Sequence, residues 1–384
     1  MKYALANPVL CPAVPAAAPS VLARLTLVVS IALTCCPARA GAQEAAGTVK
    51  SVRGQTQIER GGQRQAVRVG DAVQASDRML TGADGYASIG FRDQSSLAIG
   101  PHSQVELRQY RFNPTTHQGE QQVRVRSGSL AAISGQIAKA SPEAVQFNAG
   151  TVTLGVRGTR FVIEAQSEPP PDAAPLWRDG SGQVLRSSNG LCWQSAGSRQ
   201  NVRSDCNPDH FVLLPDTNGR VGRIVLQSGT RTLSLSSAYA SAQAGDGTLQ
   251  AVTLTEAEAR QRYQGLLDAL PPAPRQFVVR FAVGSATQLS AESAAVIEQV
   301  RAAVAQWPVL ASLTVVGHTD TAGDALRNDA LSLERARTVG QLLQGLGVAA
   351  AHLQIAGRGE RELLVPTSDN TPEAQNRRVE ITLH

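Results

Sequence analysis

A strand, a polar loop and a long helix in direct succession, Leu313 to Val348, constrain this chain more than any other stretch. Leu313, Val315 and Val316 form a short apolar run, and Gly317 ends it. Thr319, Asp320, Thr321, Gly323 and Asp324 supply loop and helix N-cap chemistry. From Leu331 onward the spacing turns helical, with Leu331, Val339, Leu342 and Leu346 on one face. Arg335 lies in that stripe, four residues after Leu331 and four before Val339. A guanidinium on an inward face is costly unless paired. The nearest candidate partner is Asp320, on the loop that feeds the helix. Spacing alone leaves two readings open. One is a structural salt bridge. The other is a receptor for a zwitterion, in which Asp320 accepts from an ammonium and Arg335 clamps a carboxylate.

The flanking segments complete a domain. Gln276 to Val283 alternates as a strand, Ser290 caps a helix, and Ile297, Val300 and Val304 turn inward until Trp307-Pro308 stops it. After the anchor helix, which Gly345 and Gly347 close, Leu353 to Ile355 reads as a strand. An irregular loop from Gly357 to Gln375 precedes a final strand, Arg378 to Leu383. This β-α-β-α-β order with a last strand predicts an α+β domain with helices packed on a mixed sheet.

Gly317-His318-Thr319-Asp320, Gly323, Asn328, Leu331-Ser332, Arg335-Ala336 and Asn376-Arg377-Arg378-Val379-Glu380 resemble the OmpA-like peptidoglycan-binding domain over residues 276–384. The resemblance implies that Asp320 and Arg335 bind the free amino and carboxyl groups of diaminopimelate in the peptidoglycan stem. It maps neighbouring ligand contacts to Thr319, Asn328 and Arg377. Arg361 to Leu364 departs from the family pattern, which bears on loop shape more than on the ligand.

Residues 47–165 read as an all-β domain of short alternating strands, with turns at Gly61-Gly62, Gly70-Asp71 and Asp84-Gly85. The pattern fits a sandwich, a roll or a solenoid and does not choose among them. Val69-Gly70-Asp71, Thr81-Gly82, Leu97 to Gly100, Ser127 to Leu130 and Val156 to Phe161 resemble the FecR-type periplasmic domain. That likeness implies an extracytoplasmic β module that contacts another envelope component. A sensor tethered to the wall is the alternative it leaves. Arg157 and Arg160, around Gly158, are read as solvated or paired, and His102 and His117 as lone loop histidines without function.

Residues 166–254 continue β-like after a Pro-rich boundary at Glu168 to Pro175, and some of their strands are candidates to complete the first sheet domain. Thr255 opens a helix with a Thr-x-x-Glu capping box, and the Pro-rich connector to residue 275 leads into the last domain. At the start, residues 1–42 read as an export signal: an apolar core from Leu25 to Leu33 after Arg24, then small-x-small cleavage patterns up to Ala42. Cys35 or Cys36 is a weak candidate for lipidation. Cleavage leaves Cys192 and Cys206, an even pair that reads as a disulfide in an oxidising compartment.

Composition removes other classes. A chain with 4% aromatic residues lacks the girdles of a membrane barrel. Its net charge of +5 is scattered, not gathered into the patch that nucleic acid requires. His318 and Asp320 have no third ligand or nucleophile at fixed spacing, so neither a metal, a cofactor nor catalysis is expected. The expectation is a periplasmic protein associated with the outer membrane and cell wall. Peptidoglycan would be its ligand and an envelope protein a further partner.

Overall fold

The computed structural model describes residues 44–166, 177, 179–180, 185, 192–193, 202–203, 208–245, 248–282, 285 and 287–384. The export signal, Cys206 and the Glu168–Pro175 boundary lie outside the described residues.

Two sheets face each other across the N-terminal core and share one strand, Gly119–Ile133. Its first half pairs with Gln104–Phe112 in one sheet, and its second half pairs with Ser96–Ile99 and Arg160–Ala165 in the other. The crossing point is Gly128, at φ +85°, where a Cβ would meet Ser103 Oγ at 2.2 Å. Only glycine fits there, so the strand can bend and change sheets. Phe147 of one sheet meets Phe161 of the other edge-on, with ring centroids 4.9 Å apart. The architecture is a sandwich with a shared strand. Strands Asp209–Leu214, Arg223–Ser228, Arg231–Leu235, Ala240–Gly245 and Thr248–Thr253 extend the same two sheets. A short helix, α1 (Gln136–Ala140), sits at the end of the shared strand and buries Ile137.

Helix α2 (Glu256–Asp268) lies on the outer face of the sheet that holds Ala98, Ala131, Val162 and Val212, and buries Tyr263 and Leu266 there, with Leu270 just beyond its end. That sheet is therefore covered on both sides. This explains why Arg160–Ala165 and Asp209–Leu214 read as near-continuous apolar runs, not alternating ones. The capping box is formed: Thr255 Oγ1 accepts from Glu258 N, and the Glu258 carboxylate accepts from Thr255 N at 2.8 Å.

The C-terminal sheet runs in the order Arg275–Val279, Val379–Leu383, Leu313–Gly317, Leu353–Gly357. The last two strands are parallel and the other pairs antiparallel. Helices α3 (Ala291–Ala305) and α4 (Ala325–Gly345) bury Ile297, Val300, Ala336, Val339 and Leu343 in one core with Val315, Val379 and Ile381. The result is the mixed sheet with packed helices that the sequence predicts. Ser290 caps α3, and the helix α4 ends where Gly347 takes φ +95°. There Val348 N donates to Leu343 O at 3.1 Å and Gly347 N to Gln344 O at 3.0 Å, which satisfies two end carbonyls.

Helix α4 starts at Ala325, capped by Asp324 as the loop chemistry predicts, and differs from expectation in one detail. Its buried face is Asn328, Ser332, Arg335, Ala336, Val339 and Leu343, while Leu342 and Leu346 are 42% and 38% exposed. Small residues let α4 approach the sheet closely, so the stripe drawn through the leucines was rotated. At Gly317 a Cβ would come within 1.9 Å of Ser332 O. The helix backbone rests directly on the strand end there.

Candidate functional site

The loop after strand Leu313–Gly317 is pinned by its neighbours before any side chain acts. His318 N donates to Arg378 O at 2.8 Å, Thr319 N to Gly359 O at 2.9 Å, and Arg358 N to Gly317 O at 2.9 Å. Thr321 ties the loop to the irregular segment beyond Pro366: its Oγ1 donates to Ser368 O at 2.7 Å and accepts from Thr371 N at 3.0 Å. Asn376 closes that segment with paired bonds to the main chain of Val365, both 2.8 Å.

On this frame Asp320 is 6% exposed. Its Oδ2 accepts from Arg377 Nη1 at 2.7 Å and from Glu373 N at 3.1 Å. Arg335 is 7% exposed and projects from α4 over the Phe281 ring, 5.6 Å from the centroid. Its Nη2 donates to Ser285 O at 3.3 Å, while Nε and Nη1 are buried with no hydrogen-bond partner among the described residues. Burial holds the Arg335 guanidinium below its ordinary pKa. Arg377 adds to that, and Asp320 and Glu334 oppose it. The two residues singled out in the sequence therefore feel each other's charge. The direct Asp320–Arg335 salt bridge, the first of the two sequence readings, does not form. Arg377 takes Asp320 instead.

The other three expected contacts divide. Arg377 reaches the site, its side chain 36% exposed. Asn328 is buried and spent on architecture: its Nδ2 faces Asp320 O at 3.3 Å, Ala322 O at 3.2 Å and Glu360 Oε2 at 2.8 Å. It fixes the loop that presents Asp320. Thr319 is 1% exposed, and its Oγ1 has no partner among the described residues. Sequence reasoning missed Glu373, Phe281 and Ser285. Only Phe281 left a trace, as the aromatic at the end of an alternating run.

His318 is buried with neither ring nitrogen hydrogen-bonded among the described residues. Burial first, then Arg378, Arg358 and His117, pushes its pKa down to about 3. It is a neutral packing residue at neutral pH and no acid–base partner for Asp320. Among the described residues no group of three or more His, Cys, Asp or Glu is placed to hold a metal ion. Among them, too, no helix is long and apolar enough to cross a membrane. The site's distinctive chemistry is thus a carboxylate already held by one cation, beside a desolvated guanidinium with donors to spare. Such a pair fits a ligand carrying both a carboxylate and an ammonium.

Comparisons with known proteins bear on the same region. The model of the OmpA family matches residues 280–378, and that of FecR protein matches residues 77–170. The probable lipoprotein YiaD of Escherichia coli is 36% identical over 105 residues, 27% of this chain and 47% of that protein. An outer membrane protein of Gluconacetobacter diazotrophicus is 51% identical over 57 residues, 15% of either chain. The chain thus spans less than half the length of these two curated relatives. Among solved structures, the peptidoglycan-associated lipoprotein of Burkholderia pseudomallei is similar at 26% identity and TM-score 0.26, over 28% of this chain and 89% of that one. The cell wall anchor of the T6SS from Pseudomonas aeruginosa is similar at 28% identity and TM-score 0.25, over 29% of this chain and 80% of that one.

Proposed function

The chain joins an FecR protein region to a domain of the OmpA family, and from that premise we propose that it is a non-enzymatic cell-envelope protein that holds peptidoglycan without a covalent bond. The ligand group is the free amino-acid end of diaminopimelate in the stem peptide. Arg335 receives its carboxylate through Nε and Nη1, which are closed to solvent in the unliganded site and open when the segment at Ser285 yields. Asp320 receives its ammonium, which replaces Arg377 at Oδ2. Asn328, Thr321 and Glu373 hold the loop in place. The protein is exported, resides in the periplasm against the outer membrane and wall, and presents its β sandwich to another envelope component. A Cys192–Cys206 disulfide cross-links the middle segment, residues 166–254, and contributes roughly 3 kcal/mol.

One observation carries the reading: a buried guanidinium whose Nε and Nη1 have no partner among the described residues. Leaving such donors unmade costs about 1–3 kcal/mol each, and a carboxylate ligand relieves that cost. Co-sedimentation with purified sacculi tests it. Wild-type protein pellets with the wall, and Asp320→Ala and Arg335→Ala stay in the supernatant. Undiminished pelleting of both variants contradicts the reading.

A further inference from the structure

A Pro-rich connector between two modules ordinarily predicts independent motion, unless the interface between them is large and apolar. Between the sandwich and the edge strand Leu353–Gly357 of the C-terminal sheet lies a cleft of about 400 Å³, lined by Thr48, Phe91 and Arg92 on one side and by Leu353, Gln354 and Ile355 on the other. Polar contacts bridge that cleft at both ends.

At one end stands Lys50, in the sandwich strand Gly47–Arg53 and only 2% exposed. Val49 packs in the sandwich core, and Lys50 is the bulged residue between the Val49–Ile89 and Ser51–Ser88 pairs, its side chain reaching the C-terminal domain. Lys50 Nζ donates to Leu310 O at 3.1 Å, Ser312 Oγ at 2.5 Å and His384 O at 3.1 Å. All three acceptors belong to the other module. Leu310 N returns a bond to Lys50 O at 3.4 Å. On the next strand Gly90, the register partner of Thr48, lies against the lysine, and a Cβ there would come within 2.5 Å of Lys50 Cε. The lysine stem fills the space that the missing side chain leaves. Burial lowers the Lys50 pKa to about 8.

At the other end the sandwich hairpin between Gln104–Phe112 and Gly119–Ile133 reaches the loop after the edge strand. Asn113 Oδ1 accepts from Thr115 N at 2.9 Å and Thr116 N at 3.2 Å, and the turn presents Pro114 O. Arg358, 5% exposed, donates Nη1 to Pro114 O at 3.4 Å and Nη2 to Glu362 Oε1 at 2.7 Å. His117, stacked on Phe112, places Nδ1 3.4 Å from the same Glu362 oxygen. The segment so held leads directly to the candidate site: Arg361 pairs with Asp329 of α4, and Glu360 accepts from Asn328.

We propose that the Lys50 contact and the Arg358–Glu362–Pro114–His117 contact are two latches that lock the sandwich and the C-terminal domain into one rigid body, so that the C-terminal domain fixes the orientation of the sandwich without a flexible hinge. The proposal does not depend on what the C-terminal domain binds.

The test uses the full exported chain and the double variant Lys50→Met, Arg358→Met. Wild-type protein scatters X-rays as one compact body, with a radius of gyration of about 20 Å for the length of Gln43–His384. It unfolds in a single calorimetric transition. The double variant keeps its circular dichroism, its radius of gyration rises by several ångströms, and its unfolding splits into two transitions. Glu362→Gln, a change at a partly exposed side chain, loosens the second latch alone and keeps the test open should the double variant fail to fold. It shows the same rise in size, smaller. Variants that scatter and melt like wild type overturn the proposal. So does a wild-type chain that already melts in two transitions with separated modules.

Discussion

Replacing Arg335 by Met separates a binding residue from a structural one, because the two roles predict opposite signs for stability. The substitution keeps an apolar stem of similar reach beside Phe281 and removes the guanidinium. Lost are the bond from Nη2 to Ser285 O, 3.3 Å, worth about 1 kcal/mol, and the ring contact at 5.6 Å, worth about 0.5–1 kcal/mol. Relieved are the buried, unpartnered Nε and Nη1, at about 1–3 kcal/mol each. The fold of Arg335→Met is therefore as stable as wild type or up to about 4.5 kcal/mol more stable, as read from urea midpoints at constant m. Binding moves the other way. Removing one partner of a desolvated charge pair costs about 2–5 kcal/mol, a loss of roughly 30-fold to several thousand-fold in affinity for solubilised wall fragments. A variant that loses more than about 1.5 kcal/mol of stability refutes the reasoning, since Arg335 would then be a paired core residue. Unchanged affinity refutes it as well.

Three further outcomes are expected. His318 has a folded pKa of about 3 against about 6.5 unfolded, so the unfolded chain binds more protons between those values. The stability this histidine contributes is full above pH 6.5 and falls as pH drops toward 3; denaturation at pH 7.5 and 5.0 shows it, and His318→Phe flattens the slope. Gly317→Ala drives a Cβ into Ser332 O, unseats α4 and lowers stability by at least about 3 kcal/mol in a thermal melt; a neutral result contradicts the close packing. Mass spectrometry of non-reduced peptides finds Cys192 cross-linked to Cys206, and two free thiols in the exported protein disprove the pairing.

Much of the C-terminal domain was legible because its signals are local. Ser290, Asp324 and Thr255 announce helix starts through side-chain caps, and each caps as expected. The buried face of α4 is not legible from apolar spacing, which favours the exposed Leu342 and Leu346. The close approach at Gly317 instead seats Ser332, Ala336 and Leu343 against the sheet. In the sandwich, strand existence was legible but pairing was not. Nothing in Asp209–Leu214 tells that it adds to Arg160–Ala165 across a long insertion, since register over such distance is set by burial on both faces.

At the site, Asp320 and Arg335 stood out by motif and by a charge placed on an apolar face. Their division of labour was not visible. That Arg377 holds Asp320 depends on the 357–375 loop folding back, which Asn376 and Thr321 enforce through main-chain bonds far apart in sequence. Lys50 and His117 were passed over for the same reason. A lone lysine in a strand and a lone loop histidine carry no local pattern, and their partners lie 260 and 245 residues away.

The most direct measurement of the central claim compares two soluble stem peptides by calorimetric titration, identical except that one carries diaminopimelate and the other lysine. Lysine keeps the ammonium for Asp320 and lacks the carboxylate for Arg335. The account predicts that the diaminopimelate peptide binds at least about 30-fold more tightly and that the preference disappears in Arg335→Met. Equal affinity for the two peptides contradicts it.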